Sequence, residues 1–205
     1  MNAPEFSVRR LHALDAAHLD ALAGVLIDCV DGGASVSFMH PLTRDRALAF
    51  WRRVADGVVR DERVLLVAED AHGVCGTVQL VLDLPENQPH RADVTKMLVH
   101  RRARRQGVGA ALMRAAEATA RDCSRTLLVL DTVTGSDASR LYQRLGWVRV
   151  GDIPGYAITA DGSDREAATF FYRTLETPAG RNVTEAQALG ADKVGLLQRC
   201  RPALP

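Results

Sequence analysis

The residues best placed to do chemistry lie in one run, Val94-Thr95-Lys96-Met97-Leu98-Val99-His100-Arg101-Arg102-Ala103-Arg104-Arg105-Gln106-Gly107-Val108-Gly109-Ala110-Ala111-Leu112-Met113. The run reads as a strand, a basic glycine-containing loop and the start of an amphipathic helix. Apolar or small residues at 108, 111, 112, 115 and 116 mark one face of that helix. Such a loop presents backbone N–H groups at a helix N-terminus, where phosphates bind. Gly107 and Gly109 let the backbone approach a bulky anion without a Cβ in the way. Other phosphate motifs fit less well. A P-loop requires Lys-Ser or Lys-Thr after its second glycine, and a dinucleotide fingerprint requires a third small residue where Leu112 stands. The bland alternative is a basic surface turn leading into a helix.

The elements that must position this loop follow from local pattern. Phe6 to Leu11 reads as a short strand. Asp15 caps a helix with Leu19, Leu22, Leu26 and Cys29 on one face, closed by Gly32-Gly33. Ala34 to Pro41 mixes apolar and hydroxyl residues. Thr43 caps a second helix with Ala47, Phe50, Trp51 and Val54 inward. Val64 to Glu69 and Val74 to Asp83 are strands joined by the turn Asp70-Ala71-His72-Gly73, and Leu84 to Arg91 is a loop. After the anion loop and its helix come a buried strand, Thr126 to Asp131, and a helix from Ser136 or Asp137 to Gly146. The last strands are Trp147 to Val150 and Ala167 to Leu175, separated by a loop from Gly151 to Glu166.

Composition narrows the class. The chain has 205 residues, 47% hydrophobic and 25% charged, which suits one globular domain with a substantial core. Lys and Arg number 26 against 25 Asp and Glu, so no global field draws in nucleic acid. No apolar run approaches the length of a membrane span, and the N-terminus has no signal-peptide pattern. Cys29, Cys75, Cys123 and Cys200 are far apart and make no metal spacing, nor do His12, His18, His40, His72, His90 and His100. Free thiols in the cytoplasm are the simplest account.

Arg104-Arg105-Gln106-Gly107-Val108-Gly109 resembles the Q/R-x-x-G-x-G/A signature of the GCN5-related N-acetyltransferases (GNAT). Ala138-Ser139-Arg140-Leu141-Tyr142-Gln143-Arg144-Leu145-Gly146-Trp147 resembles the family's A-x-x-L-Y-x-x-L-G-F element, with Gly135 where the family often carries Asn. The order of elements is also similar. Leu130-Asp131-Thr132, Val150 to Tyr156, Asp161-Gly162 and Phe170-Phe171-Tyr172 look like the tabtoxin-resistance acetyltransferase subgroup.

The resemblance implies a single mixed α/β domain over residues 1–177, with a mostly antiparallel sheet flanked by helices. Residues 178–205 follow as a tail, loosely ordered or with a short helix around Glu185 to Leu189. It implies acetyl-CoA as cosubstrate and no metal. The CoA pyrophosphate would lie on Arg104, Arg105, Gln106, Gly107, Val108, Gly109 and Ala110. Backbone groups of Met97, Leu98 and Val99 would meet the pantetheine arm and the reacting oxygen. Tyr142 would donate a proton to the departing thiolate. Asp93 and Asp131 are the candidate carboxylates for taking the amine proton or holding the ammonium group, and which does which stays open. Both could instead be solvated strand-end or capping groups, and Tyr142 a core residue. Ser35, Ser37, Phe38, His90 and Arg91 would line the acceptor site.

The activity so implied is acetylation of a small amine, such as an antibiotic, toxin or amino-acid-like compound. Rivals are a protein N-terminal or lysine acetyltransferase and a non-catalytic acyl-CoA sensor. No nucleic-acid or membrane partner is expected, and a homodimer is compatible with the sequence.

Overall fold

Local chemistry sets the ends of the first helices. The Asp15 carboxylate accepts the His18 N–H at 2.8 Å, and the Thr43 hydroxyl accepts the Arg46 N–H at 3.4 Å. These caps start α1 (Ala16–Asp31) and α2 (Arg44–Val59), which follow β1 (Phe6–Leu11). The chain continues as β2 (Arg63–Asp70), β3 (Gly73–Val81), β4 (Arg91–Val99), a single 3-10 turn (Arg101–Ala103), α3 (Val108–Asp122), β5 (Leu127–Val133), α4 (Asp137–Arg144), β6 (Val148–Ile158) and β7 (Arg165–Thr174). This is a computed structural model, and it describes residues 5–176. The tail expected over 178–205 lies outside the described residues.

The strands form one seven-stranded sheet in the order β1-β2-β3-β4-β5-β7-β6. Every neighbouring pair is antiparallel except β4 and β5. The expected fold class, mixed α/β with a mostly antiparallel sheet, is the one observed.

Two cores lie on opposite faces of the sheet. Val64, Leu66 and Ala68 of β2 point to one face, where they join Leu112, Met113, Ala116 and Ala120 of α3. Leu65 and Val67 point to the other and join Leu22, Leu26, Trp51 and Val54 of α1 and α2. A strand covered on both faces has no polar face, hence the unbroken Val64-Leu65-Leu66-Val67-Ala68. Beyond β5, Phe171 of β7 with Tyr142 and Trp147 extends the α3-side core. There the Trp147 indole N–H donates to the buried Glu117 carboxylate at 3.0 Å.

Several expected boundaries move. Asp93 lies within β4 and Asp131 within β5, not at their ends. The sequence pattern predicts a loop from Gly151 to Glu166, but residues 151–158 continue β6, Arg165 and Glu166 begin β7, and only residues 159–164 connect the two strands. β6 is an edge strand, where Pro154 need not donate to a ladder, and register shifts at Arg149/Gly151 and Ile153/Ala157 absorb the breakers. On α3, Ala111 and Ala115 are only half-buried, while Met113, Glu117 and Ala120 are buried. Cys29, Cys75 and Cys123 are buried and form no disulfide among the described residues. Among the described residues no helix is long and apolar enough to cross a membrane.

Gly76 of β3 sets the closeness of α3 to the sheet. A Cβ there would sit 3.0 Å from the Leu98 carbonyl, 3.0 Å from Val108 Cγ1 and 3.1 Å from Leu112 Cδ1. Gly76→Ala is expected to cost about 1–3 kcal/mol through overpacking, read as a lower urea midpoint. An unchanged midpoint would mean that α3 shifts freely on the sheet.

Candidate active site

The site begins where two strands part. β4 and β5 pair only over Arg91, Ala92 and Asp93 against Leu127, Leu128 and Val129. From Val94 onward β4 is bonded to β3 alone, and from Leu130 onward β5 is bonded to β7 alone. A wedge therefore opens in the middle of the sheet. Backbone groups on the β5-facing edge of Val94 to Val99 have no strand partner.

A bulge in β4 lies on this edge. Thr95 pairs with Gln79 and Leu98 with Thr77, so Lys96 and Met97 together oppose Val78. Lys96 takes the left-handed conformation, φ 50°. A non-glycine residue held there costs about 1–3 kcal/mol, and the ladders on either side hold it. The bulge reverses the facing of the strand. Val94 belongs to the α3-side core, whereas Leu98, which simple alternation would put on the same side, is in the α1/α2 core.

The extra residue, Lys96, points toward the segment between α1 and α2. Its ammonium donates to the Ser37 hydroxyl at 3.1 Å and sits 5.9 Å from the centroid of the Phe50 ring. Phe50 in turn meets Phe38 edge to face at 5.2 Å. Burial lowers the Lys96 pKa; Asp131 opposes that shift and Arg63 adds to it. Ser37 itself has φ 71°.

Asp93 lies opposite Val129, and Asp131 is two residues further along β5, so both carboxylates rise from the same sheet face. They differ in environment. Asp93 is in an ion pair with Arg91, whose guanidinium is also held by Gln88 at 2.7 and 2.9 Å. Asp131 has no ion-pair or side-chain hydrogen-bond partner among the described residues. Its surroundings raise its pKa, chiefly by desolvation and also through the charge of Asp93, while Lys96 pulls the other way.

Tyr142 of α4 is 5% exposed, with its ring 6.0 Å from Trp147 and 5.9 Å from Phe171. Its hydroxyl makes no hydrogen bond among the described residues. Burial first and the Asp131 charge second push its pKa up, so it is a neutral phenol that can donate. α4 is held in place by Ser136, whose hydroxyl accepts the Ser139 N–H at 3.1 Å.

The loop before α3 is braced from below and open above. Asp28 of α1 accepts the Arg101 backbone N–H at 2.8 Å and its Nε at 2.7 Å. Burial opposes the Asp28 charge, yet these bonds and His100 together hold its pKa below the usual carboxylate value. Arg102 pairs with Asp70. Arg104 donates to the Val99 carbonyl at 3.1 Å, and the Gln106 amide donates to the Arg102 carbonyl at 3.0 Å. Arg105 has no hydrogen bond or ion pair among the described residues; its φ is 65°, and that of Gly107 is 87°. No side chain caps α3, so its first N–H groups are free for an anion. A Cβ on Gly107 would meet open space, whereas one on Gly109 would press Leu141 at 3.1 Å.

Of the residues expected in the site, the fold gathers Asp93, Arg91, Asp131, Tyr142, Met97, Leu98, Val99, Ser37 and Phe38 around the wedge and Arg105 to Ala110 at its α3 end. Arg104 lies at that end too, but it folds back onto β4. His90 is exposed at the closed end of the strands, where its carbonyl accepts the Thr126 and Leu127 N–H groups at 2.8 and 3.2 Å. The Ser35 side chain makes no hydrogen bond among the described residues. Lys96, Phe50 and Arg63 were not anticipated. No local pattern marks Lys96, because Val94, Leu98 and Val99 are all apolar and only the packing puts Val94 and Val99 on one face and Leu98 on the other.

Residues 61–149 match the family model described as an acetyltransferase (GNAT) domain. Among the solved structures similar to the chain are the following three. yncA of Salmonella typhimurium, solved with its cofactor acetyl-CoA, is 19% identical with a TM-score of 0.69, over 87% of this chain and 99% of that one. A ribosomal-protein-alanine N-acetyltransferase from Brucella melitensis is 21% identical, TM-score 0.69, over 82% and 99%. A GCN5-related N-acetyltransferase from Kribbella flavida is 23% identical, TM-score 0.68, over 83% and 98%. These likenesses show the GNAT fold.

The charge arrangement around Asp131 has a direct spectroscopic consequence. Followed by carboxyl carbon NMR, Asp131 is expected to titrate above the ordinary aspartate range. Lys96→Met is expected to move the midpoint higher still, because it removes the opposing positive charge. A downward or absent shift in Lys96→Met would mean the two groups do not sense each other.

Proposed function

We propose that this chain, which carries a GNAT acetyltransferase domain, transfers the acetyl group of acetyl-CoA directly to a small amine. The observation that carries this reading is the wedge. It joins an unpaired strand edge, a desolvated carboxylate and a neutral phenol beside an uncapped helix start.

The residues present fit acetyl-CoA. The α3 N-terminus from Gly107 to Ala110, with the unbonded Arg105, offers N–H groups and a positive charge to a diphosphate. Arg104 and Gln106 stiffen that loop rather than reach outward. The edge of β4 at Met97, Leu98 and Val99 offers backbone groups to an amide-bearing arm, as an added strand would use them. Bound there, acetyl-CoA supplies an activated acyl group.

The protein residues then divide the proton work. Asp131, raised in pKa and unpaired, takes the proton from the acceptor ammonium; the amine nitrogen bonds to the acyl carbon and the carbon–sulfur bond breaks. Tyr142 gives its phenolic proton to the leaving sulfur, and the second proton, shed by the acylated nitrogen, returns to the Tyr142 oxygen. Asp93, held by Arg91, adds negative charge that keeps Asp131 basic. Ser37, Phe38 and Phe50 wall the acceptor side.

A thiol-release assay with acetyl-CoA, run across small amines and N-terminal peptides, tests the reading. Turnover of small amines is expected, and turnover of peptides alone would move the acceptor to proteins. With an accepted amine, the rate falls on the acid side as Asp131 becomes protonated. Because its folded pKa is raised, that limb lies above the ordinary carboxylate range. Asp131→Asn is expected to erase the limb and lower kcat/KM by about a hundredfold or more, whereas Asp93→Asn keeps the limb and shifts it to lower pH. The reverse result would make Asp93 the base.

Tyr142→Phe retains the buried ring and removes the hydroxyl alone. It is expected to bind CoA normally by calorimetry and lose about a hundredfold in kcat when chemistry limits the rate. A wild-type rate under those conditions would reduce Tyr142 to a packing residue.

A further inference from the structure

Lys96 and Asp131 face one cleft without meeting. They interact electrostatically, yet no carboxylate lies within ion-pair distance of Lys96 among the described residues. Its ammonium is satisfied by one hydroxyl, Ser37, and one aromatic face, Phe50. Half-burying a cation on neutral partners alone is unfavourable unless something else completes its shell.

The other groups near it deepen the imbalance. Arg63 adds a second positive charge and, like Lys96, has no carboxylate at ion-pair distance; its Nη1 donates to Gln79 Oε1 at 3.2 Å. The Gln79 side-chain amide nitrogen is buried with no partner, directly opposite Thr95 at the foot of the bulge. Asp93 is neutralised by Arg91. Two cations and a spare amide donor thus stand against Asp131, which has no ion pair or side-chain hydrogen bond among the described residues and which the acceptor's own ammonium would occupy. Glycine would hold the bulge backbone without strain, so a lysine there has a use for its side chain.

We propose that Lys96, backed by Arg63, determines acceptor specificity by selecting amines that carry an anionic group, a carboxylate or phosphonate, beside the amine nitrogen. The assignment rests on the acetyl-transfer reading of the wedge. The acceptor is then a zwitterion with its ammonium against Asp131 and its anion against Lys96. A protein N-terminus is disfavoured, because the carbon beside its amine bears an amide rather than a carboxylate. Ser37 acts as a positioning residue, holding the ammonium toward the cleft.

The test compares matched acceptors: the standard L-amino acids, their C-terminal amides and the corresponding 1-aminoalkylphosphonates. kcat/KM is measured by thiol release and referred to the free amine, since the amides are the weaker bases. The wild type is expected to prefer an acid over its amide by about tenfold or more, the worth of one charge-assisted contact. The phosphonate arm shows which anion the site takes. Lys96→Met is expected to abolish the acid-over-amide ratio and Lys96→Arg to retain it; Ser37→Ala, which removes no charge, is expected to lower it partway. Methionine and lysine share the same backbone preference, so the bulge is not the variable; if Lys96→Met fails to fold, Lys96→Gln and Ser37→Ala carry the comparison.

A wild-type ratio near one, or a ratio that survives Lys96→Met, overturns the assignment while leaving acetyl transfer intact. No thiol release with any acceptor overturns the acetyl-transfer reading instead. Calorimetric titration of the same acids and amides into protein saturated with CoA then decides the anion site on its own: tighter binding of the acids, lost in Lys96→Met, supports it, and equal binding overturns it.

Discussion

β4 and β5 share hydrogen bonds over three registered positions and then separate. The proposed chemistry depends on that separation. A parallel pair bonded to its end would bury the edge of β4 in a ladder and close Asp131 and the Tyr142 hydroxyl away from any ligand. Parting the strands leaves a polar backbone edge, a raised-pKa carboxylate and a phenol within one cleft. The sheet tolerates this because each strand keeps its other neighbour. β3 holds β4 along most of its length, and β7 holds β5 from Leu127 to Val133. The remaining edge groups need hydrogen-bond partners, and an extended amide-bearing ligand is a suitable one.

The bulge at Lys96 is the second consequence of this geometry. It reverses the facing of β4 so that Val94 serves the α3-side core and Leu98 the α1/α2 core. The residue left over projects toward Ser37 and Phe50. The bulge thus also brings a cation to the open edge of β4, at a conformational cost borne by the flanking ladders.

The anion loop is rigid for a different reason. Asp28, Asp70 and the Val99 carbonyl take up Arg101, Arg102 and Arg104, tying the loop to α1, to the β2–β3 turn and to β4. A run that looks in sequence like a uniform basic patch is mostly bracing. Of its four arginines, Arg105 alone has no hydrogen bond or ion pair among the described residues. The first N–H groups of α3 are fixed beside it without a competing cap, so an anion meets preformed donors.

Much of this was legible in the chain itself. Helix caps at Asp15, Thr43 and Ser136, the alternating or doubly buried strands, and the glycine loop before α3 are local patterns, and local energetics fixes them. The likeness of the loop and the Leu141-Tyr142 element to a known family added the candidates Asp93, Asp131 and Tyr142. The tertiary structure decided the rest. Register between strands far apart in sequence places the bulge at Lys96 and ends the β4–β5 pairing at Asp93. Edge position lets β6 run through Pro154 and Gly155. Packing of α2 and the 34–43 segment brings Phe50 and Ser37 to Lys96, and folding ties three arginines of the basic run to Asp28, Asp70 and the Val99 carbonyl. Hydrogen-bond register and the pairing of charges across the fold are non-local, so no window of sequence contains the partner that settles them.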